Sequence, residues 1–443
     1  MKIKRLPVDP GPAAWNALLP EAPPPTPLEG AVTADWLVIG AGLAGLAAAR
    51  RLAQLHPGDR IVMLEARRVA EGPAGRNSGF MIDLPHDLTS EDYGGAIERD
   101  RFQIRANRHA IGFAKAVVEE FGLTSEAFDP SGKTNAAATE KGHAHNLDFA
   151  RHLAALGEPC EMLDARQMHE MTGTDYYRSG LFTPGAVMLQ PAMFVRGVAA
   201  GLIAAGVRIH EMSPVVALER AGDWVAKTPN GQVTAPRVIL AVNGHAESFG
   251  QFTGRLMHVF TYASMTRGLT SDEVARLGGH PRWGVTPSDP LGTTVRRMSG
   301  TGGDRIIVRN RFTYNPSLES SAAQLMRVAR DHDRAFAARF PMLAGVGMDY
   351  RWGGRLCLSR NGVSAFGEVD EGLFAACCQN GLGTAKGTLS GLLAAEHASG
   401  VGSDLLAGML AEAAPQKLPW RPVAQVGATA ILRWGEMRAG REL

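Results

Sequence analysis

At 443 residues, with hydrophobic side chains at 45% and charged ones at 20%, the chain is too long for one ordinary core and too apolar to be disordered. Lys plus Arg number 46 and Asp plus Glu 44, a formal charge of +2 that argues against a bulk nucleic-acid binder or a polybasic membrane protein. The 52 glycines fit an α/β protein whose backbone repeatedly approaches a ligand.

Residues 1–30 read as a proline-rich arm, with Pro23, Pro24, Pro25 and Pro27, expected to stay outside any core. The charged start, Met1–Pro7, has no apolar run behind it, so no signal peptide is expected. The longest apolar stretch, Trp36–Ala49, is broken by glycine and too short for a membrane span. Asp35–Ile39 reads as a buried parallel strand, Leu43–Leu55 as a helix and Arg60–Glu65 as the next strand, together one βαβ unit. Helices are expected over 96–121, 146–156 and 191–205. Short strands follow at Val207–His210, Val215–Glu219, Trp224–Thr228 and Val238–Val242. Strands and turns alternate from Thr261 to Arg311, and Ser320–Phe340 reads as a long helix. Leu373–His397 reads as strand, glycine loop and helix. Cys160, Cys357, Cys377 and Cys378 form no CxxC pair and no metal-ligand spacing. A reduced, cytoplasmic protein without a metal site is the expectation.

Glycine turns between strand and helix recur near residues 40, 243 and 381. That pattern predicts a nucleotide domain assembled from 31–95, 186–250 and 350–410. A second, substrate domain would take 96–185 and 251–349, leaving 411–443 as a C-terminal extension.

The strongest motif is Gly40-Ala41-Gly42-Leu43-Ala44-Gly45, between a strand and a helix, with Glu65 closing the next strand. The first glycine makes the tight turn, Gly42 admits a pyrophosphate and Gly45 lets helix pack on strand. Phosphate charge meets free N–H groups and the positive helix end. Glu65 would accept from ribose hydroxyls. The motif alone does not separate FAD from NAD. Gly75-Arg76-Asn77-Ser78-Gly79 suits a loop hugging a phosphate or ring edge, and reads equally as a surface turn. Val238–Val242 ends in Asn243-Gly244. Gln379–Gly387 opens a second helix with glycines, where an N-terminus aimed at a flavin carbonyl would stabilise negative charge on the reduced ring.

Together these four segments resemble the D-amino-acid-oxidase-like FAD superfamily, and within it the γ-glutamylputrescine oxidoreductase branch. Ala14-Trp15 with the proline arm and Pro27-Leu28-Glu29-Gly30 resembles that branch's lead-in. Glu65-Ala66 with Gly75-Arg76-Asn77, then Trp352-Gly353-Gly354 and the Gly381–Gly387 loop, resemble its flavin-contact segments. The likeness runs from about Trp15 to Ala398. It implies an α/β architecture: a glutathione-reductase-type, Rossmann-like FAD domain and an α+β substrate domain with an antiparallel sheet. It also implies oxidation of a C–N bond in a small-molecule amine, with hydride passing to flavin N5 and the imine hydrolysing. The FAD contacts it implies are Gly40 to Gly45, Glu65, Ala66, Arg67, Gly75 to Gly79, Val215, Ala241, Asn243, Gly244, Gly381, Leu382, Gly383, Thr384 and Lys386.

The departures are specific. Two arginines that clamp a substrate carboxylate in simple amino-acid oxidases fall here at Gln379 and Leu356. The lysine that sarcosine oxidases carry in the last loop falls near Ala385. Their flavin-facing lysine has no counterpart near Ile306–Val308, and their flavin-linking cysteine aligns nearer Gly354 than Cys357. The resemblance therefore carries over neither an ordinary α-amino acid substrate nor efficient oxygen use, and FAD is expected to bind non-covalently. The acceptor, O2 or another, stays open, including a quinone or partner protein. An NAD-dependent Rossmann dehydrogenase is the other enzyme class left.

Substrate-pocket candidates are Tyr262, Trp352, Gln379, His86 and a set of arginines. Arg296 and Arg297 lie on one predicted strand, and Arg305, Arg309 and Arg311 on the next. Arg297, Arg309 and Arg311 form either a surface ladder or an anion clamp. The aromatics read equally as core, and a lone histidine is more often structural.

Overall fold

The computed structural model describes residues 2–3, 5–85 and 95–443. Its first organising sheet has six strands, in the order Arg208–His210, Ile61–Leu64, Trp36–Ile39, Arg237–Leu240, Leu373–Cys377 and Ala365–Asp370. Neighbours run parallel except the last pair. The central strands read as unbroken apolar runs because both of their faces are covered. Trp36, Val38, Ile61, Met63 and Ile239 pack with the helices Leu43–Leu55, Pro191–Ala204 and Ala385–Ala398. Leu37, Ile39, Val62, Leu64, Val238 and Leu240 pack on the other side. There the cover is a four-stranded sheet of Gly30–Thr33, Gly231–Ala235, Asp223–Lys227 and Ala217–Ala221.

The second large sheet has eight strands. Their order is Met348–Ser359, Leu256–Thr266, Arg305–Tyr314, Thr294–Met298, Trp283–Pro287, Lys133–Ala137, Ser179–Thr183 and Glu161–Leu163. Pairing is antiparallel except between Trp283–Pro287 and Lys133–Ala137. This is the antiparallel sheet that the family resemblance implied. The strand Met348–Ser359 pairs along its length with Leu256–Thr266 and so runs here. Sequence reasoning had placed its residues from 350 onward with the nucleotide domain.

Three further differences have physical causes. The N-terminal arm does not stay outside the core: Ala14, Trp15 and Leu28 are buried. Trp15 Nε1 donates to the Asn77 carbonyl at 2.8 Å, and Gln190 donates to the Trp15 carbonyl at 2.7 Å. Proline prevents regular pairing but not burial of the apolar residues between prolines. The strands Gly30–Thr33 and Gly231–Ala235 were not expected. They carry glycine at their first position and pair with each other in parallel. The short helix Ser271–Leu277 rests on a capping box between Thr270 and Glu273 rather than on a long apolar stripe.

The C-terminal extension is tied to the eight-stranded sheet. The helix Arg421–Ala439 presents Glu436, which accepts from Arg311 Nη1 at 2.8 Å and from the Phe312 N–H at 3.3 Å. Among the described residues no helix is long and apolar enough to cross a membrane.

Candidate active site

Gly40 leaves its strand at φ +102°, a conformation an L side chain rarely adopts. A methyl on Gly45 would stand 1.8 Å from the Gly40 carbonyl oxygen, so only glycine lets the helix start this close to the turn. That helix begins after Gly42 with no side-chain cap, leaving its first N–H groups and its positive end for a ligand. Glu65 accepts from the Ala41 N–H at 2.9 Å and the Arg67 N–H at 3.1 Å. Burial pushes its carboxyl pKa up, and those backbone donors oppose the shift.

The Gly75–Gly79 loop is braced from within. Its Asn77 side chain donates to the Ala74 carbonyl at 2.7 Å and accepts from the Gly79 N–H at 2.8 Å. Arg76 is spent on scaffold. Nε donates to the Gly353 carbonyl at 2.8 Å, and Nη2 to the Pro10 and Gly11 carbonyls at 2.6 and 2.7 Å. Burial pulls its pKa down to about 10. Trp352, itself buried, donates from Nε1 to the Arg76 carbonyl at 3.0 Å. Arg296 donates from Nη1 to the Ser78 and Leu189 carbonyls at 2.9 and 2.8 Å.

In the last loop, Thr384 Oγ1 donates to the Phe80 carbonyl at 2.6 Å, joining this loop to the second one. The helix Ala385–Ala398 starts there without a side-chain cap. Gln379 donates to the Ala376 carbonyl at 3.1 Å and accepts from Ser390 Oγ at 3.0 Å, so its amide braces the loop.

One cavity of about 240 Å³ joins all three turns. Gly40 to Ala44, Glu65 to Arg67, Asn77, Ser78, Val215, Ala241, Asn243, Gly244, Gly381, Gly383 and Thr384 line it. Gly45, Gly75, Arg76 and Gly79 do not line it; Gly45 packs on the Gly40 carbonyl and Gly75 on that of Ala70. Leu382 and Lys386 stand off it, Leu382 packing with Phe80, Ile82 and Met188. Beyond the glycine turns the cavity meets Arg355, Leu356 and Cys357 of the eight-stranded sheet, together with His245 and His258. Ile3, Arg5, Leu6 and Pro7 close over it. Of these nine residues the sequence had singled out Leu356, for its alignment, and Cys357, as one of four thiols. The others lie in irregular or alternating segments with no motif of their own.

The arm is pinned at both ends. Ile3 N–H donates to the Val216 carbonyl at 2.8 Å, and Gly353 N–H to the Pro10 carbonyl at 3.1 Å. Between them Asp9 pairs with Arg355 at 3.1 Å. Arg355 Nη1 also contacts His245 Nε2, which fixes that nitrogen as the acceptor. Burial first, then the Arg355 charge, pulls the His245 pKa down to about 3. His258 Nε2 meets Glu247 at 2.7 Å. Nδ1 of each histidine is buried without a protein partner.

The structure does not bring the remaining candidates to this cavity. Arg297 pairs with Asp304 at 3.4 Å and also donates to the Gly278 carbonyl. Arg311 pairs with Asp331 and Glu436, both at 2.8 Å. Arg309 lies over the Phe312 ring, 4.7 Å from its centroid. Strand alternation turns these side chains to Asp304 in a turn, Asp331 and Glu436 in two helices, and the Phe312 ring. Tyr262 is buried, its hydroxyl bonded to Thr313 and Ser320 at 2.7 and 2.9 Å. His86 lies outside the described residues.

A family model described as "FAD dependent oxidoreductase" (DAO) matches residues 35–397. The chain belongs to this family. It is an FAD-dependent oxidoreductase of the superfamily that its motifs resembled. It is 27% identical over 414 residues to a probable oxidoreductase OrdL of Rhizobium meliloti (strain 1021), covering 90% of this chain and 91% of that one. It is 26% identical over 375 residues to γ-glutamylputrescine oxidoreductase of Escherichia coli (strain K12), covering 83% and 84%. Its fold is similar to that of glycine oxidase from Geobacillus kaustophilus, with TM-score 0.70 at 18% identity, over 88% of this chain and all of that one.

The residues present fit FAD. The uncapped helix after Gly42 suits the pyrophosphate and Glu65 the ribose. At the other end the helix after Thr384 brings its positive end, although its Lys386 and Gly387 N–H groups already donate to the Leu382 and Gly383 carbonyls, and the orphaned Nδ1 atoms of His245 and His258 leave polar groups for the ring.

Proposed function

We propose that this flavoprotein oxidises the C–N bond of an amine or amino-acid derivative. The observation that carries the reading is the single cavity. It runs from Glu65 through two uncapped helix N-termini to a wall on the antiparallel sheet, so cofactor and substrate spaces are continuous. The names of relatives, γ-glutamylputrescine oxidoreductase and glycine oxidase, support action on CH–NH groups. Bound FAD would supply the electron chemistry, as acceptor of a hydride from the carbon that bears nitrogen, and the imine product would hydrolyse in water.

This chain's own groups position and enclose. The glycine turn and Glu65 hold the adenosine and pyrophosphate; the Gly75–Gly79 loop, braced by Trp352 and Arg296, fixes one edge of the ring site. The arm residues Ile3, Leu6 and Pro7 exclude water. Arg355 is balanced by Asp9, and His245 stays uncharged near neutral pH. The cavity end beside them therefore presents little net charge from this cluster, which favours an amine bound neutral.

The test is an anaerobic panel of amines, N-alkyl amino acids and γ-glutamyl amines, read by loss of the flavin band near 450 nm. Bleaching by a member of the panel supports the reading, and a yellow protein bleached by none rejects it. Reoxidation by O2 compared with a soluble quinone then assigns the acceptor. A quinone is the second reading, favoured by the absence of a lysine among the cavity-lining residues described.

A further inference from the structure

The C-terminal helix Arg421–Ala439 is built inside out. Its side toward the protein carries small residues, Ala424, Ala428, Gly435 and Ala439, with Leu432 and the buried Glu436. A methyl on Gly435 would stand 2.2 Å from Leu291 Cδ1, so the helix lies as close as glycine allows. Its large apolar side chains point outward. Trp420 at the N-cap is 76% exposed, Val426 72%, Ile431 68%, Trp434 56% and Met437 74%. With Val423 they are six of the thirteen exposed large hydrophobics among the described residues. The helical five fall within roughly 140° of the circumference, an arc that also holds Arg438, so they form one stripe with a cation in it rather than scattered exceptions.

This helix is not a loose tail. Glu436 is tied to Arg311, and the following turn is held by Glu442, which accepts from the Ala138 and Thr139 N–H groups at 2.8 and 2.9 Å. Thr293 N–H donates to the Glu442 carbonyl at 2.7 Å. Both acids of the segment are thus buried and spent on anchoring. Every exposed charged side chain between 420 and 441 is an arginine: Arg421, Arg433, Arg438 and Arg441. Arg438 lies over the Trp434 ring, 4.6 Å from its centroid.

We propose that this face docks on an anionic lipid bilayer, the helix lying in the interface plane. Tryptophans near both ends, a valine–isoleucine–methionine stripe between them and arginines alone as charges are what a helix in that plane requires. A second copy of the chain fits less well. A two-fold pairing of this stripe sets arginines of one helix near those of the other, and the helix exposes no acid to balance them. The docking is independent of which amine is oxidised. It places the flavoprotein where an apolar electron acceptor dissolves.

The test is flotation of the full-length, FAD-loaded protein with two kinds of vesicle: phosphatidylcholine alone, and phosphatidylcholine mixed with phosphatidylglycerol. Binding is expected to the mixed vesicles only, and to fall as salt rises. W420S combined with W434S should lower the bound fraction by at least about tenfold at unchanged flavin content. R421Q combined with R438Q should weaken binding to the mixed vesicles while leaving the Arg433–Glu436 and Arg311–Glu436 pairs in place, which keeps the test decisive if the tryptophan variant misfolds. Wild-type protein that stays unbound at low salt overturns the proposal. So does a dimer, seen by light scattering, that W434S dissolves while vesicle binding is absent, since the stripe is then covered by a second copy.

Discussion

Asp9 and Arg355 are 346 residues apart in the chain and form a buried ion pair, with Nε to Oδ1 at 3.1 Å and Nη2 to Oδ2 at 3.3 Å. Their side chains are 0% and 7% exposed. The pair fastens the N-terminal arm to the strand that forms the cavity's far wall. Asp9→Asn leaves the guanidinium buried against His245 without a carboxylate, at a cost of about 3–5 kcal/mol. The expected outcome is a lower Tm and faster release of FAD on dilution, read by flavin fluorescence. Asp9→Asn with Arg355→Gln should cost less than the two single changes summed. Strict additivity would show that the arm is not latched by this pair.

Glu65→Ala should weaken FAD binding. The ribose loses a charge-assisted acceptor worth about 1.5–3 kcal/mol, and the Ala41 and Arg67 N–H groups lose their partner. The variant is expected to purify with little flavin and a raised Kd. An unchanged Kd by titration would remove Glu65 from the site.

FAD is expected to leave with acid precipitation. Cys357 lines the cavity, yet its thiol pKa is held well above the usual range by its hydrogen bond with Cys378 and then by burial. A protonated thiol is a poor nucleophile. All yellow colour should appear in the supernatant; colour retained in the pellet means a covalent link.

His245 sets a pH dependence. Its pKa is about 3 in the folded protein and returns to about 6.5 in the unfolded chain. Between those values the unfolded state holds a proton that the folded state does not. The stabilisation is therefore fully present above about pH 6.5 and is lost as pH falls toward 3. His245→Gln keeps an acceptor for Arg355 but cannot titrate. Its stability should fall less steeply than wild type below pH 6.5, by up to about 1.4 kcal/mol per pH unit. Parallel curves from urea unfolding would reject the assignment.

Arg297→Gln and Arg311→Gln should leave discrimination between acidic and neutral amines unchanged, because both guanidinium groups are spent on carboxylates away from the cavity. Arg311→Gln should instead lower stability by about 1–3 kcal/mol, since the buried Glu436 loses its nearest cation. A change in kcat/KM ratio between the two substrates would return these arginines to the pocket.

By itself the sequence carried the family and, through that resemblance, the cofactor. Glycines at 40, 42 and 45 followed by Glu65 are a local pattern, because turn geometry and helix start involve only neighbours in the chain. Uninterrupted apolar strands announced a sheet covered on both faces for the same reason. The far end of the cavity was decided only by tertiary structure. Arg355, His245 and the arm residues Ile3, Arg5, Leu6 and Pro7 come from three distant segments, and which groups they meet depends on folding. Alternation placed Arg297 and Arg311 on strand faces. Whether those faces met a cavity or Asp304, Asp331 and Glu436 depended on elements that alternation cannot see. A proline-rich composition described the arm's backbone, while its burial followed from distant partners, Asn77 and Gln190 for Trp15 and Arg355 for Asp9.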